Sequence, residues 1–325
     1  MRRSRSSTTL VALLLGLALA GAAAGQGATA NGAAFLLLPV GARAAGLGQA
    51  VVSDRGTADA AFWNPAGLAR LPSSQFVAHF ASTFISNNGV VGGYYADDRV
   101  GTLGLAAYIV DYGSQEVIPP GSTTPIGRIA LRNVELQASY ATPLTGSLAF
   151  GVNYKLIQFR QDCSGDCRPS RPIVGTTHAV DLGLQWSAAA DHIQFGVALR
   201  HAGFKLQLEN RDQADPLPTR LVVGASWTVP VGRLDDGSAL DARFLVNFQD
   251  HFGEYGSPEA LVGAELGYGD LIRLRAGYAL VTGESRGPAL GVGFQYESVT
   301  IDFARVFYAS GAFDEPAYLS LRVGL

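Results

Sequence analysis

SLAFGVNYKL, residues Ser147–Leu156, decides the fold. Leu148, Phe150, Val152, Tyr154 and Leu156 fall on one side of an extended chain, and Ala149, Gly151, Asn153 and Lys155 on the other. Successive side chains of a strand point to opposite faces, so this rhythm of two describes a strand with one apolar face. A helical period does not fit it. ALDARFLVNFQ, Ala239–Gln249, repeats the pattern, with Leu240, Ala242, Phe244, Val246 and Phe248 opposed to Asp241, Arg243, Leu245, Asn247 and Gln249. THAVDLGLQW, DHIQFGVALR, IRLRAGYAL and GPALGVGFQY read the same way.

Fourteen such segments can be marked: 73–85, 89–97, 100–112, 130–142, 146–160, 174–188, 191–205, 219–230, 239–250, 258–268, 271–281, 287–296, 298–309 and 316–325. An even number of strands with one apolar face throughout predicts an all-β fold, a 14-stranded antiparallel transmembrane β-barrel. Lipid offers no hydrogen bonds, and a closed sheet pairs every backbone group without leaving an edge. A secreted β-sandwich would have fewer long strands and a more charged surface. Here charged residues make up 16% and apolar ones 48% of 325 residues, against about a quarter charged in soluble domains. The net charge of −3 gives no footprint for nucleic acid.

The connections test the barrel independently. Transmembrane barrels alternate long external loops with short periplasmic turns. The even connections are short, among them DR, PLTGS, AA, GD and ES, and the odd ones include GSQEVIPPGSTTPIGRIA, DCSGDCRPSRPI and QLENRDQADPLP. Two depart from this: the short first hairpin near Ser86–Asn88 and the long VGRLDDGSA after the eighth strand. Arg305 falls on the apolar face of VTIDFARVFY, which requires a bulge, an interfacial position or another register. The last strand, PAYLSLRVGL, ends on Leu325, where the terminal signal of bacterial barrels usually carries Phe.

The N-terminus sets the compartment. MRRSRSS is basic, TLVALLLGLALA apolar and GAAAG small, the order of a secretory signal peptide over 1–25, with no Cys to mark a lipoprotein. Residues 73–325 then form the barrel and residues 26–72 an N-terminal hatch containing a short helix over TADAAFWNPAGLAR. Two features place this segment in the lumen. Fourteen strands enclose more space than their side chains fill. The inward faces also carry Gly151, Gly183, Gly196, Gly224, Gly263, Gly277, Gly291 and Gly293, and glycine in a strand marks close approach of another group. Phe62, Trp63 and FLLLP are too apolar for a disordered tail.

The stretch GARAAGLGQAVVSDRGTADAAFWNPAGLA, starting at Gly41, resembles the N-terminal signature of the PorV/PorQ family, within the wider group of outer-membrane barrels similar to FadL, the fatty-acid transporters. Gly41, Arg43, Gly46, Gly48 and the run Trp63, Asn64, Pro65, Ala66 and Gly67 carry the match, which covers about residues 35–70. The resemblance implies a luminal hatch with the NPA turn at its centre. Pro65 fixes its own φ and turns Asn64 away from helix, and an Asn side chain can bond nearby backbone.

Inward charges of both signs, Glu135, Lys155, Asp181, Arg200, Arg243, Glu265, Arg273, Arg275, Asp302 and Arg322, are expected to pair with one another or with the hatch. Cys163 and Cys167, in an external loop of an exported chain, suggest a local disulfide. No metal or cofactor set stands out. The nearest approach to catalytic residues is Asp250 beside His251, and adjacent strand residues face opposite ways. A non-enzymatic outer-membrane barrel, contacting outer-membrane lipid, is therefore expected. The family resemblance implies a role in binding or anchoring exported proteins or secretion subunits of the type IX kind. The wider FadL-like group implies the alternative, transport of a hydrophobic ligand such as a long-chain fatty acid.

Overall fold

The structure, a computed structural model, describes residues 32–168, 170–189, 191–208, 214–235, 237–280, 287–308 and 314–325. The expected signal peptide, 1–25, and the first residues of the expected hatch, 26–31, lie outside them.

Fourteen strands run β1 (Gln75–Ser82), β2 (Asn87–Asp97), β3 (Gly101–Val117), β4 (Gly127–Pro143), β5 (Leu148–Gly165), β6 (Ile173–Ala188) and β7 (Ile193–Gly203), then β8 (Arg220–Arg233), β9 (Ala239–His251), β10 (Glu259–Tyr268), β11 (Ile272–Leu280), β12 (Gly287–Tyr296), β13 (Val299–Val306) and β14 (Ala317–Gly324). Each pairs antiparallel with its sequence neighbours, and β1 closes the cylinder on β14 through the register Gln75↔Gly324 to Ser82↔Ala317. Closure leaves no unpaired edge at membrane depth. Side chains alternate as the sequence pattern requires. In β6, Thr177, Ala179, Asp181 and Gln185 are buried, whereas Leu182, Leu184 and Trp186 are exposed on the outer wall.

That outer wall is a belt of large apolar groups, including Leu105, Leu136, Phe195, Trp227, Phe244 and Phe303. An apolar surface this continuous marks a membrane-facing wall rather than a soluble monomer. Val197, 43% exposed at the middle of β7, sits on it. Val197→Arg is expected to cost about 2–4 kcal/mol of folding stability in a bilayer, the cost of an arginine on the lipid face near the midplane. Urea titration of the protein refolded into lipid vesicles measures it, and an unchanged midpoint would show that this face does not meet lipid.

One rim of the barrel carries the short turns, such as Tyr268–Ile272 and Tyr296–Val299, and the other the longer connections. The long turn expected after β8 is shorter than it reads, because β8 continues past a register shift at Pro230/Gly232 to Arg233. The loops expected at 112–130 and 161–173 are in part strand, since 112–117, 127–130 and 161–165 belong to β3, β4 and β5. β3, β4 and β5 have 17, 17 and 18 residues, more than the ~9–11 that span a bilayer. They project beyond the rim, where β3 is no longer paired with β2 after Asp111. A register shift between Asp111 and Ser114, with Gly113 at φ 74°, breaks the alternation there and hides the strand from a pattern search. Cys163 and Cys167 are disulfide-bonded at the tip of this projection. Arg305 keeps its register, points outward near the end of β13 and pairs with Glu315 at 2.8 Å, so it takes the interfacial option.

The hydrophobic core lies inside the barrel, between wall and N-terminal segment. Phe35, Leu36, Leu47, Phe62, Trp63 and Leu68 pack against Val77, Tyr94, Tyr108, Val110, Ile157 and Leu261. The described parts of the connection after β7, 204–208 and 214–219, fold in over the long-loop end. Leu206 and Leu217 are buried, and the Gly32 amide donates to the Pro216 carbonyl at 2.8 Å.

Candidate functional site in the lumen

The segment inside the barrel has little regular structure: a helix α1 (Ala42–Gly46) and three 3₁₀ turns, Ala34–Leu37, Ala58–Phe62 and Pro65–Arg70. Short pieces cannot satisfy their own backbones, so side chains of the segment and the wall do it for them. Asn64 has extended backbone before Pro65, as a residue preceding proline should, and its Oδ1 accepts from the Ala66 amide at 3.1 Å. Its Nδ2 donates to the Val52 carbonyl at 2.8 Å and to the Leu184 carbonyl of β6 at 3.1 Å. One fully buried amide thus caps the turn, ties it to the preceding loop and fastens both to the barrel. Trp63 Nε1 donates to the Val40 carbonyl at 3.1 Å, while the Arg200 guanidinium lies over its ring at 4.8 Å, within cation–π range.

The wall comes close because its inner face is bare. Gly151 pairs with Gly183, Gly196 with Gly224, and Gly263 with Gly277 across adjacent strands. A β-carbon at Gly151 or Gly183 would overlap the Asn64–Ala66 turn, one at Gly196 the Val52 carbonyl and one at Gly277 the Gly48 backbone. At Gly263 it would lie 2.7 Å from the Leu47 carbonyl oxygen, and Gly291 would bring it to 3.2 Å from the Gly46 Cα. Gly293 is different: it makes room for Asp302 and Arg275, not for the segment. Within the segment, Gly41 has φ 87° at the start of α1, and Gly48 has φ 60° against the backbone of Tyr278, backbone that an L side chain rarely adopts. Gly67 fits under the Asp54 carbonyl.

The charges form two groups. In the first, Arg43 on α1 pairs with Asp54 and, at 3.1 Å, with Glu265. Arg275 bonds Glu265 and Asp302, each at 2.6 Å. Arg243 reaches Asp54 at 2.8 Å, Arg322 reaches Asp59 at 2.9 Å, and Arg273 pairs with Asp241 at 2.7 Å. Buried charges persist only when paired and hydrogen-bonded, so this lattice specifies one seat for the segment. The second group, Glu135, Lys155 and Asp181, lies elsewhere: Lys155 Nζ is 2.9 Å from Asp181 and 3.3 Å from Glu135. At the short-turn rim Arg55 pairs with Asp191 at 3.0 Å, and that bond, with one from Ser187, holds the Asp191 carboxyl below its ordinary range.

Sequence reasoning overlooked the segment's own anions, Asp54 and Asp59. The signal was there: SDRGTAD supplies carboxylates to a lumen rich in arginine. It also passed over His79, whose Nδ1 is 2.8 Å from the Ser320 hydroxyl and whose Nε2 is 3.4 Å from Asp59, with Ser320 Oγ also accepting from the Ala42 amide at 2.7 Å. These groups are buried and lock the start of α1 to β1 and β14. Gln137, Asn153 and Gln185 serve the Ala61 and Asp54 carbonyls in the same manner.

Two cavities flank α1 and share no residue. The one at the long-loop rim has a volume of about 310 Å³ and an apolar lining that includes Leu37, Leu38, Ala45, Ile85, Ala289 and Tyr318. The other, at the short-turn rim, has about 280 Å³ and is lined by Arg43, Arg243, Glu265, Arg273, Asp302 and other polar groups. Ala45 faces the first and Arg43 the second, so the helix and its ion pairs are the partition.

No protein-family model and no curated protein matches the chain. Solved barrels do. The Ralstonia pickettii toluene transporter TbuX superposes with a TM-score of 0.60 at 13% identity, over 88% of this chain and 98% of that one. The Pseudomonas putida toluene transporter TodX gives 0.58 at 14%, over 88% and 98%. A Pseudomonas aeruginosa FadL homologue gives 0.50 at 13%, also over 88% and 98%. At such identities the likeness is one of fold alone: a closed barrel of fourteen antiparallel strands with a segment at its N-terminal end.

Proposed function

We propose that the protein is an outer-membrane channel for small hydrophobic molecules, with residues 26–72 as its plug. The apolar cavity at the long-loop rim carries this reading. It is of a size and lining suited to a small apolar ligand, and it ends on a plug seated by ion pairs and hydrogen bonds. The long-loop rim would face the exterior, as in barrels generally. The likeness to toluene transporters supports the same direction. The secretion role implied by the PorV/PorQ resemblance rests on the N-terminal signature alone, and transport displaces it as the leading reading.

A deletion strain and its complemented parent test the proposal by uptake of labelled toluene and oleate, beside a census of surface proteins. Loss of uptake with an unchanged surface is expected. Unchanged uptake with surface proteins missing would overturn transport in favour of secretion. A finer test fills the cavity: Ala289, only 2% exposed on its wall, becomes Phe. Uptake is expected to fall several-fold, at a stability cost of about 1–3 kcal/mol for packing a ring at a buried position.

A further inference from the structure

We propose that the long-loop half of the lumen holds a single monovalent anion of carboxylate or halide type, bridged between Arg200 and Arg220. These two residues stand directly opposite each other in the β7–β8 register and are 8% and 7% exposed. Like charges directly opposite across two strands repel, and an unpaired buried charge is costly. Among the described residues neither guanidinium has a carboxylate in ion-pair reach, and the Nε of each is buried without an acceptor.

The nearby carboxylates are already committed. Asp181 accepts from the His201 amide at 2.7 Å through Oδ1, and from Asn153 and Lys155, both at 2.9 Å, through Oδ2. Glu135 faces Lys155 at 3.3 Å. His201 Nδ1 lies 3.3 Å from the Lys155 ammonium, an acceptor's position that requires a neutral ring. Among the described groups gathered around His201, Lys155, Arg200 and Arg220 against Glu135 and Asp181 leave one positive charge, which one monoanion cancels. The planar donor fork of arginine suits a two-oxygen anion in particular. The site stands whether or not the barrel transports anything.

Trp63 reports on it, since its ring lies under Arg200. The chain has three tryptophans, and Trp186 and Trp227 are on the lipid face. In the Trp186→Phe/Trp227→Phe background, in uncharged detergent, iodide is expected to quench Trp63 saturably at millimolar concentration, and acetate to reverse it at constant ionic strength. Arg220→Gln should abolish the saturable phase, while Arg233→Gln at the short-turn rim should not. Octanoate acting at far lower concentration than acetate would identify the anion as the head of an amphipathic molecule, and equal potency a free small anion; both sustain the site. A second readout guards against a folding defect. In gluconate, a bulky and strongly hydrated anion, Arg220→Gln should melt above its parent, and the order should reverse in acetate. Quenching that stays linear, or is unaffected by Arg220→Gln, overturns the proposal, as does a melting order that ignores the anion.

Discussion

Gly183→Val is expected to unseat the NPA turn. The new side chain would occupy the place of Asn64 Oδ1, with the Ala66 amide nitrogen and Pro65 Cδ each 3.0 Å from its first carbon. Backbone cannot yield as a flexible side chain does. Overpacking of this kind costs about 1–3 kcal/mol. Displacement of Asn64 would also break its bonds to Val52, Leu184 and Ala66, worth about 1 kcal/mol each net and more if a partner stays buried and unpaired. A total near 4–6 kcal/mol follows. Because the turn anchors the segment that carries the partition, the variant should also leak, with open-channel events in planar bilayers where the parent shows few. Gly89→Val is the control: nothing lies within 4 Å of a β-carbon there, so the change should stay within about 0.5 kcal/mol. Urea unfolding followed by tryptophan emission measures the stabilities. If Gly183→Val were as stable and as tight as Gly89→Val, the bare inner wall would not be the seat of the plug.

Arg43→Met should have the second large effect. The methionine can occupy the aliphatic path of the arginine, so packing changes little and the loss is mainly electrostatic. Asp54 and Glu265 would each lose a cation while nearly fully buried. Removing one partner of a buried pair costs about 3–5 kcal/mol. Here Arg243 still holds Asp54 and Arg275 still holds Glu265, which points to the lower end. Arg43→Lys keeps the charge without the fork that reaches two carboxylates at once, so it should recover part of the loss. Arg43→Met combined with Asp54→Asn should be less destabilised than the sum of the single changes, because the two residues are in contact. Additive losses would show that Arg43 and Asp54 are not coupled within the segment. Leak through the partition is expected to rise in parallel with the instability.

The strands were legible because membrane burial imposes a period of two on each of them, and that period needs only the local sequence. It failed where the lipid constraint ends. Beyond Asp111, β3 and its partners leave the bilayer and a register shift at Gly113 interrupts the alternation, so a paired hairpin reads as a loop. The eighth strand's end was lost in the same way at Pro230/Gly232. Of the lumen, the glycines on inward faces and the tightly specified FWNPAG run were visible in the chain. The segment residues that meet Gly151, Gly183, Gly196, Gly263, Gly277 and Gly291 were not, because each lies more than eighty residues away.

By itself, then, the sequence determined a lipid-facing cylinder of fourteen strands, closed by its even count and one-sided apolarity, and a leading segment too apolar to remain outside. Only the tertiary structure decided which carboxylate answers which arginine, that Lys155 takes both Glu135 and Asp181 while Arg200 and Arg220 face each other, and that α1 divides an apolar cavity from a charged one. The reason is physical. Alternation is set by the two faces of each strand, whereas charge pairing across a lumen depends on strand stagger and on the path of a segment with almost no regular structure of its own.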